Sequence, residues 1–224
     1  MNSCEVLSEI IKANPKISSL RFFLFSTSTK LQDRYNCTNS QSANLIADAI
    51  KLKGKLGVRF WHALLTLFTR TSTVDDQLVR HALYHQANTK YHYTDADEAS
   101  KFCKLEHKTP TAINSKVTMQ DGSTRHIPLL DFKIGSQPNN LKIASAVISA
   151  LDLKGFIIDS GKSYHFIGTD LVSESELIDI LAKFSMLAPI SDSAWAAHQI
   201  LERSASLRIS PRNGSIPTVV YEIT

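Results

Sequence analysis

Asp131 closes the apolar run Ile127-Pro128-Leu129-Leu130-Asp131-Phe132-Lys133, and further along comes Phe156-Ile157-Ile158-Asp159-Ser160-Gly161-Lys162-Ser163-Tyr164-His165-Phe166-Ile167. An acid at a strand end, a crossover helix and a strand that turns through Ser-Gly-Lys before returning with a polar His would gather a carboxylate, a flexible turn, an ammonium and an imidazole at one place. Such a set suits a metal–nucleotide complex: carboxylates hold hard cations, and a glycine turn lets backbone amides approach an anion. Each residue also has a bland reading. A lone Asp beside a strand is commonly a turn or cap residue, Ser-Gly-Lys tips occur in many hairpins, and a single strand histidine is most often a hydrogen-bonded structural one. The order of the parts favours chemistry, and alternation places His165 on the sheet face opposite Tyr164 and Phe166.

The positioning elements can be read from periodicity. Val6, Leu7, Ile10 and Ile11 predict a helix over 3–13, and Leu20 to Phe25 a buried strand. The polar stretch 26–42 predicts a long loop. Helices follow around Leu45, Ile46, Ala49 and Ile50, around Phe60 to Phe68, and after Asp75-Asp76. Residues 86–112 give no clear pattern. Lys116 to Met119 and Arg125 to Leu130 flank Asp121-Gly122, a hairpin signal. Asn139-Asn140 can cap a helix carrying Leu141, Ile143, Ala144, Val147, Ile148 and Leu151. Gly155 to Ile158 and Ser163 to Ile167 predict two strands about the Ser160-Gly161-Lys162 turn, and Ser173 with Glu176 a capping box. A last helix over 193–203 precedes Ser206 to Ser210 and Pro217 to Tyr221, which predict a closing hairpin. The expected architecture is α+β: a mainly helical N-terminal lobe, 1–112, packed as one unit on a core, 113–224, whose mixed or antiparallel sheet is flanked by helices.

Bulk properties set outer limits. The 224-residue chain can bury a substantial core. Cys4, Cys37 and Cys103 form an odd, widely spaced set without CxxC, which predicts free thiols in a reducing, cytoplasmic setting. No stretch approaches a membrane span, and Met1 to Glu5 does not begin a signal peptide. The net charge of +4 permits contact with phosphate without requiring it. The basic groups Lys51-Lys53-Lys55-Arg59 and Arg203, Arg208, Arg212 read more readily as solvated surface than as a binding patch. His81 and His85 with Cys103 and His107 can be drawn as a zinc site, but i,i+4 histidines commonly form a polar helix face. Trp61 and Trp195 could stack on bases, although aromatics in apolar helices more often fill the core.

Taken together, Leu130-Asp131-Phe132-Lys133, Ser160-Gly161-Lys162-Ser163-Tyr164-His165 and Ile190-Ser191-Asp192 resemble the three ordered motifs of archaeo-eukaryotic primases and primase-polymerases. Those motifs are an acidic strand end, a Ser-x-His-type strand, and a later hydrophobic-Asp; the arginine strand Leu207-Arg208-Ile209 follows as in that family. The resemblance covers about residues 116–222. It implies a primase-polymerase-like core that binds nucleoside triphosphate and DNA or RNA, single-stranded or as a template-primer, in DNA replication. Asp131, His165 and Asp192 would be catalytic, and Asp131 and Asp192 would hold Mg²⁺ or Mn²⁺. Ser160, Lys162, His165 and Arg208 would bind nucleotide, and a 3′-hydroxyl would attack in line and expel pyrophosphate.

One position departs from the pattern. Catalytic relatives carry two acids in the first motif, and here Lys133 stands in the second place. That lysine supports a rival reading, a degenerate primase-like module kept for nucleic-acid binding or assembly. A third is an unrelated α+β interaction protein whose polar residues serve turns and caps.

Overall fold

The structure, a computed structural model, describes residues 1–24, 40–67, 92–104, 110–211 and 214–224. Most of the loop expected over 26–42, the helix after Asp75-Asp76, the drawn zinc ligands His81, His85 and His107, and Cys37 and Arg212 lie outside the described residues. The chain divides into two compact units, Met1–Phe23 with Tyr91–Thr224, and Leu24–Lys90. This cut differs from the expected lobes 1–112 and 113–224. Residues 112 and 113 sit inside a strand, and the N-terminal helix and first strand belong with the C-terminal part.

In the larger unit, α1 (Ser3–Ala13) is opened by a capping box in which Asn2 and Glu5 satisfy each other's backbone amides. Its Val6, Leu7 and Ile10 are buried. After β1 (Ile17–Leu24), the stretch that gave no sequence pattern supplies β2 (His92–Asp95) and α2 (Ala96–Lys104). Cys4 of α1 and Cys103 of α2 are joined in a disulfide, which corrects the expectation of free thiols. They lie 99 positions apart in sequence, so spacing alone gave no sign of the pairing. The cysteine-based reason for a reducing compartment falls with it. No helix among the described residues is long and apolar enough to cross a membrane.

Two sheets form the body. The first runs β2-β1-β3-β4, with β3 (Thr111–Met119), β4 (Thr124–His126) and a further strand, β8 (Ser206–Arg208), on β3. The second runs β5-β7-β6-β9, with β5 (Leu129–Gly135), β6 (Gly155–Asp159), β7 (Ser163–Gly168) and β9 (Thr218–Ile223). The Asp121-Gly122 hairpin forms as expected, with Gly122 at φ +81°. The strand expected over 125–130 is two strands in different sheets. Pro128, which has no N–H to give a ladder, sits at the corner, and its carbonyl accepts from Gly168 N at 2.8 Å. The expected closing hairpin is also corrected: β8 pairs with β3 and β9 with β6.

One apolar core is lined by residues of both sheets, among them Leu20, Phe22, Ile113, Val117, Leu129, Phe156, Ile158, Ile167 and Leu207. The opposite face of the second sheet, through Leu130, Phe132, Ile157, Tyr164 and Phe166, packs on α3 (Pro138–Ala150), α4 (Glu174–Ser185) and α5 (Ser193–Glu202). Pro138 opens α3 at N1 and Gln137 is the N-cap, in place of the expected Asn139-Asn140. The Ser173–Glu176 box opens α4. The smaller unit contains two helices, Ser40–Leu56 and Phe60–Leu67, packed through Ala49, Ala63 and Leu64. Trp61 packs against that core, edge-on to Phe60, as the core reading expects.

Candidate functional site

The second sheet places Asp131 and His165 directly opposite one another on β5 and β7. Alternation sets the face. Leu130, Phe132, Tyr164 and Phe166 go to the helical side, so Asp131 and His165 go to the other, as His165 was expected to do. His165 Nε2 lies 3.7 Å from Asp131 Oδ1. His165 is almost fully enclosed, whereas Asp131 keeps 26% of its side chain exposed, enough for solvent or a ligand to reach the carboxyl.

Asp192 arrives by backbone pairing. The β5–β7 register shifts between Asp131 and Gly135, and the other edge of β5 pairs with residues 190–192. Lys133 N donates to Ile190 O at 2.8 Å, Phe132 bridges Ser191, and Asp192 N donates to Asp131 O at 3.1 Å. The first and third motifs are thus stitched side by side. Asp192 is also the N-cap of α5, its Oδ1 accepting from Trp195 N at 3.1 Å.

Arg208 reaches the same place from the first sheet. Its Nη2 donates to Ser160 O at 2.9 Å and its Nη1 to Ser210 O. The arginine therefore ties the 160–162 turn to the end of β8. Ser160 is buried and its hydroxyl donates to Ser163 O at 2.8 Å, so this side chain serves the turn. Gly161 N donates to Asp159 Oδ1 at 2.8 Å, which commits the glycine amide within the turn as well. Gly161 has φ +90°, and a Cβ there would meet Ser215 Oγ at 2.7 Å, so only glycine suits the position. Lys162 is left exposed at the tip. Sequence reasoning missed Asp159, whose role was signalled by the Asx-turn pattern Asp-Ser-Gly.

The electrostatics follow from enclosure. Burial, and after it the charge of Asp192, pushes the Asp131 carboxyl up to about 8, against the pull of Arg208 and Lys162. Burial, and then the positive charge of Arg208, pushes His165 down to about 3. An ion pair would shift the two in the opposite directions. Both directions favour a protonated carboxyl facing a neutral imidazole over a carboxylate–imidazolium pair. The charges that shift Asp131 are chiefly those of Asp192, Arg208 and Lys162, and Lys133 is exposed two residues along.

Among the described residues no group of three or more His, Cys, Asp and Glu could hold a metal ion. Asp131 and Asp192 offer two carboxylates, one of which already caps α5. Magnesium commonly uses one or two carboxylates and completes its shell with water and phosphate oxygens. This donor set fits an ion that arrives with a nucleotide, since a cation beside Asp131 would also offset the repulsion from Asp192.

A family model described as AEP-like, archaeo-eukaryotic primase 1D-like, matches residues 89–220. The match spans more than half of the chain, and the chain belongs to that family. No curated protein and no solved structure matches it.

Proposed function

We propose that this primase-like protein binds a nucleoside triphosphate at the Asp131 face and transfers its nucleotidyl group to the 3′-hydroxyl of a nucleic-acid strand. The observation that carries the reading is the convergence of five of the six residues singled out from sequence. Asp131 and His165 face each other at 3.7 Å, and the charges of Asp192, Arg208 and Lys162 act at the same carboxyl. Ser160 contributes a carbonyl that holds Arg208.

In this reading Lys162 offers its ammonium to the phosphates from the turn tip. Arg208 supplies positive charge while keeping the turn in place, and neutral His165 donates or accepts a hydrogen bond at the triphosphate. Asp131 and Asp192 would hold Mg²⁺ or Mn²⁺, which would supply charge neutralisation at the phosphates and polarisation of the reacting oxygens. The 3′-oxygen bonds to the α-phosphorus and its proton passes to solvent, while the bond from the α-phosphorus to the oxygen bridging to the β-phosphate breaks and pyrophosphate leaves.

The test is extension of a labelled primer on a template with added triphosphate and Mg²⁺ or Mn²⁺, with pyrophosphate release as the second readout. Product in the wild type, lost in Asp131→Asn and Asp192→Asn, supports transfer. One observation favours a second reading, binding without transfer: Lys133 stands where catalytic relatives carry a second acid. Triphosphate binding with no product in any condition selects that reading.

A further inference from the structure

A concave patch of about 160 Å³ lies on the first sheet, lined among the described residues by Ser19, Leu20, Arg21, Lys116, Val117, Thr118 and Thr124. The strand period explains its character. On β1 and β3 the residues Leu20, Phe22, Ile113 and Val117 are buried in the core, so Ser19, Arg21, Lys116 and Thr118 project from the other face. Thr124 of β4 is the register partner of Thr118. The result is two cations and three hydroxyls on adjacent rigid strands, with no carboxylate among the described lining residues.

Arg21 is held in place. Arg21 Nε donates to Asn114 Oδ1 at 3.0 Å, and Nη2 donates to the same oxygen. Asn114 is fully buried and is itself fixed by Nδ2 donating to Ser206 Oγ at 2.9 Å. Folding has thus already ordered a side chain that a ligand would otherwise have to order. The positive field is felt next door: His126 is pushed down to about 4, first by burial, then by Lys116, with Arg21 adding to it against Glu174. Glu174, the nearby acid, is engaged by Arg203 at 2.7 Å.

We propose that this sheet face is a second anion site, separate from Asp131, that grips the phosphodiester backbone of a single-stranded nucleic acid. Hydroxyls and cations donate to phosphate oxygens, and the described lining residues include no aromatic to stack on bases, so binding here is sequence-independent and salt-dependent. The proposal rests on the nucleic-acid half of the function above and is independent of the triphosphate half.

The experiment measures binding of a fluorescent single-stranded oligonucleotide by anisotropy across a salt series, for wild type, Lys116→Ala and Thr124→Glu. The same proteins are titrated with Mg²⁺–ATP, and their melting temperatures are measured. Both variants are expected to bind the oligonucleotide about tenfold or more weakly with unchanged melting temperature. Lys116→Ala should flatten the log–log salt dependence by about 0.7, the value for one phosphate contact on a single strand. Affinity and slope unchanged in both variants would overturn the proposal, as would a wild type that does not bind the oligonucleotide. Competition by free pyrophosphate as strong as by unlabelled strand would assign a small-anion site and overturn the strand claim. A parallel loss of Mg²⁺–ATP affinity would merge the patch with the Asp131 site and overturn its separateness. If no protein binds Mg²⁺–ATP but the oligonucleotide effects hold, the triphosphate reading fails and this one stands.

Discussion

Replacing Asp131 by Asn should stabilise the protein at neutral pH and abolish the nucleotidyl transfer proposed above. Asp131 is raised from 3.8 to about 8 in the folded protein. From about pH 4 to 8 the folded state therefore keeps a proton that the unfolded state has released. This group's contribution to stability is fully present below about pH 4 and is lost as pH rises through 8. At pH 7 the accumulated penalty is about three pKa units, a ceiling of about 4 kcal/mol at roughly 1.4 kcal/mol per unit. Water reaching the 26% of the side chain that stays exposed reduces this, so the expected gain is about 2–4 kcal/mol on the same scale. Asn has no proton to lose, and its shape is close to that of the acid. The substitution breaks no hydrogen bond to His165, because 3.7 Å is too long for one. His165 acts with the opposite sign. Its value of about 3 means that its contribution is present above about pH 6.5 and lost as pH falls. Comparing Asp131→Asn with wild type at each pH cancels most of that term. The assay is urea unfolding followed by tryptophan fluorescence at pH 5, 6.5 and 8. The stability advantage of the variant should grow with pH, at equal m-values. A pH-independent difference, or a variant less stable than wild type at pH 8, would refute the reasoning.

Lys133→Asp should strengthen Mg²⁺ binding, because a third carboxylate would join Asp131 and Asp192; calorimetric titration showing unchanged metal affinity in a folded variant would count against a metal site. Gly161→Ala should destabilise by about 1–3 kcal/mol, since it forces a positive-φ residue and a clash at Ser215, and chemical denaturation measures this. Reducing the Cys4–Cys103 disulfide should lower the melting temperature, with a loss of about 2–5 kcal/mol for a loop of this length. Equal melting curves with and without reductant would contradict that.

What could be read from sequence was what local chemistry decides. The Ser173–Glu176 box, the Asp121-Gly122 turn and the alternation of Tyr164, His165 and Phe166 are each set within a few residues, and each has its expected form. The ordered motifs made the family legible as well. Non-local pairing was not. Nothing around Pro128 says that β4 and β5 lie in different sheets, and nothing around 206–210 and 217–221 says that these strands take different partners. Asp192 comes beside Asp131 because the edge of β5 away from β7 pairs with 190–192, a non-local pairing that no window of sequence displays. Ser160 was read as a donor to ligand, but a small hydroxyl in a tight turn finds its acceptor within the turn.

The most direct measurement is calorimetric titration of the wild-type chain with a nucleoside triphosphate, with and without Mg²⁺, beside Lys162→Ala. The account predicts binding that strengthens when Mg²⁺ is present and weakens about tenfold or more in the variant, the size expected for one charge-assisted contact. No triphosphate binding in the wild type, or binding indifferent to both Mg²⁺ and Lys162, would contradict it.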